Sequence, residues 1–143
     1  MLSTDNCITN PKMLNPITLA YIGDVVYELL VRTKTVKENG SLSAKNLHKT
    51  SVKYVQAAAQ SKGVDAILPI LSEEEMAVYK RGRNSSSSQV PKHQTACDYR
   101  KATGLEALFG YLYLTEQKER IDELFNVIAD VIGKGENDEN TVV

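Results

Sequence analysis

Cysteine and histidine are scarce in this chain, and their scarcity excludes several kinds of site. The 143 residues contain two cysteines, Cys7 and Cys97, and two histidines, His48 and His93. Two distant cysteines are too few for a disulfide framework or a zinc site, so we expect free thiols. Each histidine adjoins a lysine, and we expect both to face solvent or phosphate rather than a metal. No cluster of histidine and aspartate marks a phosphohydrolase site.

Long hydrophobic runs are absent as well. No segment approaches the roughly 20 apolar residues that a membrane-spanning helix needs, and the first thirty residues lack the basic start and apolar run of a signal peptide. The composition, 42% hydrophobic and 24% charged, is typical of one soluble domain that buries a core. We therefore expect a cytoplasmic protein without membrane contact.

The net charge of −1 conceals a segregation of charge along the chain. Residues 32–54 and residues 80–101 each carry six basic residues against one acid, whereas eight acids face three bases from residue 116 onward. Phosphate binding depends on local charge, so the two basic segments indicate a surface for a polyanion. Lysine-rich helix faces that serve solubility are the alternative interpretation.

Hydrophobic periodicity predicts an all-α protein, with no competing strand pattern. The first helix is expected to begin at Pro16 and to be apolar over a broad face. The second helix is predicted at residues 44–61, with a stop at Gly63. A third is predicted from a capping box at Ser72 and Glu75 to about Arg81. A fourth follows the loop and ends at about Leu114, and a fifth extends from about Gln117 to Ile132. Residues 64–71 contain Pro69 and form a shorter piece. The expected core stripe of the second helix is Leu47, Val52, Val55 and Ala58, and Tyr21, Tyr27, Tyr111 and Tyr113 lie at core spacing.

Three segments contain little that a core could bury. Residues 82–95, GRNSSSSQVPKHQT, are predicted to form a long flexible basic loop. Residues 133–143 are expected to be a disordered tail, and residues 1–13 an N-terminal extension. The predicted domain is therefore 14–132.

Two acids interrupt apolar helices and need an explanation. Asp24 stands in AYIGDVVYE beside Gly23, and Glu106 stands in TGLEALFGYLYL near Gly110. A buried carboxylate without a partner is costly, while a glycine inside a helix suggests a close approach of another backbone. If the two helices cross at these glycines, both acids face a shared divalent cation, for which Mg²⁺ is suited. Pairing of each acid with a buried base or tyrosine hydroxyl is the alternative.

These residues also carry a resemblance to a known family. YIGDVVYELL resembles the signature helix of ribonuclease III enzymes, and LEALFGYLYL resembles their second acidic helix. Five blocks are similar in content and order to the Mini-ribonuclease III family, the short bacterial form without a double-stranded-RNA-binding domain. The blocks are LAYIGDVVYE, LHKTS, VYKRGRN, the Pro-Lys after the serines, and YRKATGLEALFGYLYL. The resemblance covers roughly residues 14–130.

The resemblance implies a helical endonuclease domain of the ribonuclease III type, a homodimer, Mg²⁺ and cleavage of double-stranded RNA. It implies large-subunit (23S) ribosomal RNA precursor as substrate, with a ribosomal protein or an assembling ribosomal subunit as a further partner. Asp24 and Glu106 fall on the family's metal-binding and catalytic positions. We expect RNA contacts from the basic segments, namely from Lys49, Lys53, Lys80, Arg81, Arg83, Asn84, Lys92, His93, Arg100 and Lys101.

Two departures from full-length ribonuclease III keep another interpretation open. Full-length ribonuclease III has a Glu at the position of Ala20 and an Asp at the position of Thr103. The Mini form lacks both acids, as this chain does. Fewer charged ligands imply a weaker or wetter metal site. A non-catalytic RNA-binding or ribosome-associated protein of the same fold explains these changes equally well, but it gains nothing from Asp24 and Glu106.

Overall fold

The computed structural model describes residues 10–86 and 89–141, with side chains up to residue 135. Within these ranges the chain is helical and contains no strand, which confirms the all-α prediction. The helices are α1 (Pro16–Asn39), α2 (Ala44–Val55), α3 (Ala57–Ile67), α4 (Glu73–Asn84), α5 (Ala96–Leu114) and α6 (Lys118–Thr141), with 3₁₀ turns at Pro11–Met13 and Leu68–Ile70. No helix among the described residues has the length and apolar content to cross a membrane.

Local capping determines where α1, α4 and α5 begin. The Asn15 side chain accepts a hydrogen bond from the Ile17 amide (2.8 Å), and Pro16 occupies the first turn of α1. The predicted capping box is present, because the Ser72 hydroxyl accepts from the Glu75 amide (3.1 Å) and the Glu75 carboxylate accepts from the Ser72 amide (2.8 Å). At the start of α5 the Thr95 hydroxyl accepts from the Asp98 amide (3.0 Å), so all three starts are encoded within one turn of sequence.

The single helix predicted over residues 44–61 is wrong. The backbone is extended at Gln56 (φ −63°, ψ 143°), so two helices replace one. Gly63 does not stop a helix but lies inside α3, where an added Cβ would come within 2.6 Å of the Ile128 side chain. The predicted core stripe is wrong in part, since the turn at Gln56 changes which side chains face inward. Ser51, Tyr54 and Ala57 are buried, Leu47, Val52 and Val55 are half-buried, and Ala58 is exposed.

Helix α5 forms the centre of the molecule. Leu105, Leu108, Phe109 and Leu112 are fully buried, as expected for a helix that is apolar on all sides. It packs against α1, α3, α4 and α6. The centre of the Tyr27 ring of α1 lies 5.9 Å from the centres of the Phe109 ring, which is tilted, and the Phe125 ring, which is edge-on, so α1, α5 and α6 share one aromatic core.

An ion pair between the partly exposed Arg120 and the buried Glu75 attaches α6 to the start of α4. The Arg120 guanidinium donates to both carboxylate oxygens of Glu75 (2.8 and 2.9 Å) and to the Ile70 carbonyl (2.7 Å). Glu75 is 5% exposed. Bidentate pairing of this kind compensates the cost of burying the carboxylate.

The helix boundaries near the predicted loop and tail differ from expectation. Helix α6 continues to Thr141 rather than ending near Ile132, since no proline interrupts it. Helix α4 extends to Asn84, so the loop is 85–95, of which residues 87 and 88 lie outside the described residues. Residues 1–9 and 142–143 also lie outside them. The flexibility of the loop and the disorder of the tail stay predictions.

A row of apolar side chains lies uncovered on α1 and the turn before it. The row consists of Met13, Ile17, Tyr21, Val25 and Leu29, which are between 43% and 81% exposed. Tyr21, at 81%, was expected in the core, and that expectation is wrong. Tyr27 and Tyr111 are buried as predicted, and Tyr113 is half-buried. Helical spacing did not show which of the apolar faces of α1 turns inward.

Candidate active site

Helices α1 and α5 cross in backbone contact at two glycines. A Cβ on Gly23 would overlap the carbonyl oxygen of Glu106 and lie 2.8 Å from the Gly110 amide nitrogen. A Cβ on Gly110 would overlap the carbonyl oxygen of Leu19. The predicted crossing is present, and it brings Asp24 near enough to Glu106 for the charge of Asp24 to raise the pKa of Glu106.

The two carboxylates differ in exposure and in acidity. Asp24 is exposed, which corrects the expectation of a buried acid, and Glu106 is half-buried. Burial, followed by the charge of Asp24, raises the pKa of Glu106 to about 8. Burial, followed by the charge of Glu28, raises the pKa of Asp24. Asp24 is the more exposed acid, and its charge opposes the ionisation of Glu106.

This pair of carboxylates fits a divalent cation. A cation between them would offset both the burial of Glu106 and the repulsion from Asp24. Carboxylate oxygens are preferred ligands of Mg²⁺, which often takes only one or two of them and keeps several waters. The described residues contain no group of three or more His, Cys, Asp or Glu side chains that could hold a metal. The donor set therefore suits Mg²⁺ better than an ion that requires a full protein cage.

Glu28 is an acid near the site that sequence reasoning missed. It lies one helical turn after Asp24 and raises the pKa of that residue, while its own carboxylate accepts a hydrogen bond from Arg32 (2.8 Å). The four-residue spacing of Asp24 and Glu28 was the signal that could have identified it. Its contribution to the site is negative charge.

The two positions where acids are missing are occupied by buried residues. Ala20 is 6% exposed, and Thr103 is 9% exposed with its hydroxyl donating to the Tyr99 carbonyl (3.0 Å). Neither side chain adds a charged ligand. Asp24 and Glu106 remain the two acids at the crossing, with Glu28 one turn away.

Four of the predicted RNA contacts meet in one pocket between α4 and α5. Arg83, Asn84, Arg100 and Lys101 line this basic pocket, which has a volume of about 630 Å³. The Arg83 guanidinium lies 5.7 Å from the centre of the Tyr79 ring. The pocket therefore concentrates cationic groups at one end of the loop.

Lys101 and Arg81 are engaged with other parts of the protein. Lys101 pairs with Asp65 (2.7 Å). Arg81 does not face the pocket and donates instead to the carbonyls of Lys12 (2.7 Å) and Leu14 (3.3 Å). The structure thus separates Arg81 from its neighbour Arg83.

The remaining predicted contacts are exposed and lie outside the pocket. They are Lys49 and Lys53 on α2, Lys80 on α4, and Lys92 and His93 in the loop. A larger groove of about 1120 Å³ between α1 and α6 contains none of the predicted site residues. The cationic surface is therefore dispersed rather than confined to one cleft.

Comparison with known proteins identifies the family. Residues 17–117 match the model of the Ribonuclease III domain. Mini-ribonuclease 3 of Symbiobacterium thermophilum is 42% identical over 129 residues, covering 90% of this chain and 98% of the relative. Mini-ribonuclease 3 of Clostridium tetani is 41% identical over 128 residues, with 90% and 85% covered.

A solved structure agrees with these relatives. The crystal structure of a protein from Fusobacterium nucleatum superposes with a TM-score of 0.74 at 29% identity, covering 82% of this chain and 93% of that chain. The resemblance of the sequence blocks is thereby confirmed. The chain belongs to the ribonuclease III family, whose members are endoribonucleases that act on double-stranded RNA.

Proposed function

We propose that this protein is a Mg²⁺-dependent endoribonuclease that cleaves double-stranded RNA as a homodimer in the cytoplasm. The observation that carries the proposal is the pair of carboxylates at the α1–α5 crossing, where the pKa of Glu106 is raised to about 8. Burial and the charge of Asp24 both disfavour the ionised form of Glu106. A divalent cation would offset both effects, so the site is suited to one. We further propose 23S ribosomal RNA precursor as the substrate, which is what the resemblance of the sequence blocks to the Mini-ribonuclease III family implies.

Asp24 and Glu106 are the residues that would hold the ion. When bound, Mg²⁺ lowers the pKa of a water nucleophile and neutralises charge on the phosphodiester. Glu106 must lose its proton to act as a ligand. The backbone contact between Gly23 and Glu106 holds the two helices together next to both acids, so the chain supplies two oxygen ligands from adjoining helices.

The basic groups near the pocket are suited to recognition by shape and phosphate. Double-stranded RNA is contacted mainly along its phosphates and 2′-hydroxyls. Arg83, Arg100 and Lys101 line the pocket, and the exposed Lys80, Lys92 and His93 outside it add dispersed charge. We propose that the segment 80–101 forms a clamp on the duplex and that Lys49 and Lys53 extend the same surface.

The apolar row on α1 supports the homodimer. Five neighbouring apolar side chains at 43–81% exposure exceed what scattered surface residues require. A twofold contact buries the same surface on both copies and provides two sites for the two strands of a duplex. A ribosomal protein or an assembling ribosomal subunit is a further proposed partner.

A non-catalytic RNA-binding protein is the competing function, and the buried Ala20 and Thr103 in place of acids are equally compatible with it. Incubation of the purified protein with a structured RNA, in Mg²⁺ or in EDTA, separates the two. We expect cleavage in Mg²⁺ and none in EDTA. Stable binding without cleavage under both conditions would support the non-catalytic protein.

A further inference from the structure

The wall of the basic pocket is fixed by a close approach of α4 and α5. A Cβ on Gly104 would come within 2.7 Å of the Tyr79 ring and 2.9 Å of the Tyr79 carbonyl oxygen, and a Cβ on Gly82 would lie 3.1 Å from the Gly104 Cα. Tyr79 is 2% exposed. The two glycines therefore let the Tyr79 ring pack directly against the backbone of α5, where close packing holds it still.

The Arg83 side chain lies against this fixed ring. Its guanidinium carbon is 5.7 Å from the centre of the Tyr79 ring, and its Nε donates to the Asn84 side-chain oxygen (3.2 Å). Arg83 is half-buried, whereas Asn84 is exposed. A planar guanidinium held in this way is a surface on which an unpaired nucleobase can stack.

The size and the lining of the basic pocket suit a base better than a phosphate. Its volume of about 630 Å³ lies in the range of pockets that enclose one small organic ligand. The apolar side chain of Leu68 and the ring of Tyr79 line it together with the cations. A phosphate gains nothing from apolar walls, whereas the faces of a base do. The pocket therefore fits one nucleotide that has left the duplex stack.

Helix α5 links the basic pocket to the candidate active site. Arg100 lines the pocket and precedes Glu106 by about 9 Å along the helix axis. Lys101 also lines it, with its amine held by the Asp65 carboxylate (2.7 Å). Arg100 is exposed and Lys101 half-buried, so both cations are placed to meet the phosphate of a nucleotide in the pocket. That nucleotide would belong to RNA bound at the two carboxylates.

We propose that the basic pocket receives a single unpaired nucleotide of the bound RNA, whose base stacks on the Arg83 guanidinium while Arg100 and Lys101 contact its phosphate. This inference rests on the RNA binding of the proposed function and adds a local defect in the duplex to what the protein recognises. A paired base has to leave its stack to enter the pocket, which costs free energy, whereas a bulged base is already unpaired. A suitably placed bulge should therefore strengthen binding.

The probe is an RNA duplex with one bulged uridine, placed at successive positions and compared with the perfect duplex. Binding is measured in EDTA, so that cleavage does not interfere. Uridine is chosen because its carbonyl oxygens can accept hydrogen bonds from the arginine, lysine and Asn84 amide groups. For at least one bulge position, wild type should bind the bulged duplex about tenfold more tightly than the perfect one, the order of effect that stacking of one base produces.

The matched variants are Arg83→Lys and Lys80→Ala, both on α4. Arg83→Lys keeps the charge and loses the planar group, so the preference for the bulged duplex should disappear while the salt slope of binding is retained. Lys80 is exposed and lies outside the pocket. Lys80→Ala should lower the salt slope by about 0.7–0.9 for both RNAs and keep the preference for the bulge.

Equal binding of bulged and perfect duplexes by wild type at every position, or an undiminished preference in Arg83→Lys, would overturn the inference. Binding of free uridine 5′-monophosphate that Arg83→Lys abolishes, without any preference for a bulge, would assign the pocket to a soluble nucleotide and overturn it as well. A wild type that prefers the bulged duplex but cleaves neither RNA in Mg²⁺ would refute the proposed endonuclease and support the pocket assignment.

Discussion

At the scale of single residues, the candidate site is a pair of acids with different surroundings. Their positions could be predicted because each interrupts an apolar helix beside a glycine. Their exposure could not, since it depends on which side of α1 faces α5. Asp24 is exposed beside the apolar row, whereas Glu106 is half-buried and has its pKa raised to about 8.

The raised pKa of Glu106 predicts a pH dependence of stability without metal. The native state holds the Glu106 proton up to about pH 8, whereas the unfolded chain loses it near the ordinary value of 4.5. The free energy of unfolding should therefore fall as the pH rises from about 5 to 8. Urea unfolding in EDTA at both pH values measures it for wild type and for Glu106→Gln.

Glu106→Gln should lack this pH-dependent contribution to the free energy of unfolding, because an amide does not titrate. The free energy of unfolding of wild type relative to Glu106→Gln is expected to decrease between pH 5 and pH 8. An identical pH dependence in the two proteins would show that Glu106 ionises normally. In wild type, Mg²⁺ binding at pH 7 should release protons, which calorimetry in buffers of different ionisation enthalpy detects.

At the scale of helices, glycines and one ion pair determine how the elements meet. Helix starts at Asn15 and Ser72 could be predicted because their caps lie within one turn of sequence. The break at Gln56 could not, since neither proline nor glycine marks it and the packing of α3 against α5 and α6 decides it. The role of Gly63 likewise depends on a distant residue, Ile128.

The α1–α5 crossing predicts a sharp difference between glycines. Gly23→Ala should lower the free energy of unfolding by roughly 1–3 kcal/mol or more, because the new Cβ overlaps the Glu106 carbonyl. Gly133→Ala is the control, since its Cβ would meet only the Tyr54 hydroxyl at 3.9 Å. That change should stabilise α6 by about 0.5–1 kcal/mol. Equal effects of the two changes in urea unfolding would argue against the crossing.

The Glu75–Arg120 pair predicts that the loss of stability differs between Arg120→Met and Glu123→Gln. Arg120→Met should lower stability by about 3–5 kcal/mol, because it leaves the buried Glu75 carboxylate without its partner. Glu123→Gln, which removes the exposed end of the same network, should cost at most about 1 kcal/mol. Thermal unfolding of both variants near pH 7 measures the difference, and a mild effect of Arg120→Met would exclude a structural role for the pair.

Acid should reduce the difference in the free energy of unfolding between Arg120→Met and wild type. Hydrogen bonding to Arg120 lowers the pKa of Glu75 below its ordinary value of 4.5. The stability that this interaction contributes is present above pH 4.5 and is lost as the pH falls through the lowered pKa. Wild type should therefore lose more stability than Arg120→Met as the solution is acidified.

At the scale of the whole molecule, hydrophobic periodicity did not show which apolar face of α1 is left uncovered. The sequence shows that α1 is apolar on more than one face, but only the packing shows that Tyr27 turns inward and Tyr21 outward. The separation of Arg81 from Arg83 is equally invisible in a run of basic residues. Function that depends on assembly is therefore the part least accessible to sequence reasoning.

The row predicts a dimer that a single charge disrupts. Wild type should have twice the 15.8 kDa chain mass by light scattering at micromolar concentration. Tyr21→Asp, at an 81% exposed position, should fold normally and dissociate. Cleavage of duplex RNA should fall with it. An active wild-type monomer, or a Tyr21→Asp dimer of normal affinity, would contradict a contact through this row.

The most direct test of the central claim is cleavage of an end-labelled RNA duplex by wild type, Asp24→Asn and Glu106→Gln, each in Mg²⁺ and in EDTA. Amides preserve the shape of the side chains but lose the charge that holds the ion. Wild type is expected to cleave only in Mg²⁺. Both variants should be slower by several orders of magnitude while binding the duplex almost normally. Cleavage by wild type in EDTA, or by either variant at the wild-type rate, would contradict a metal site formed by Asp24 and Glu106.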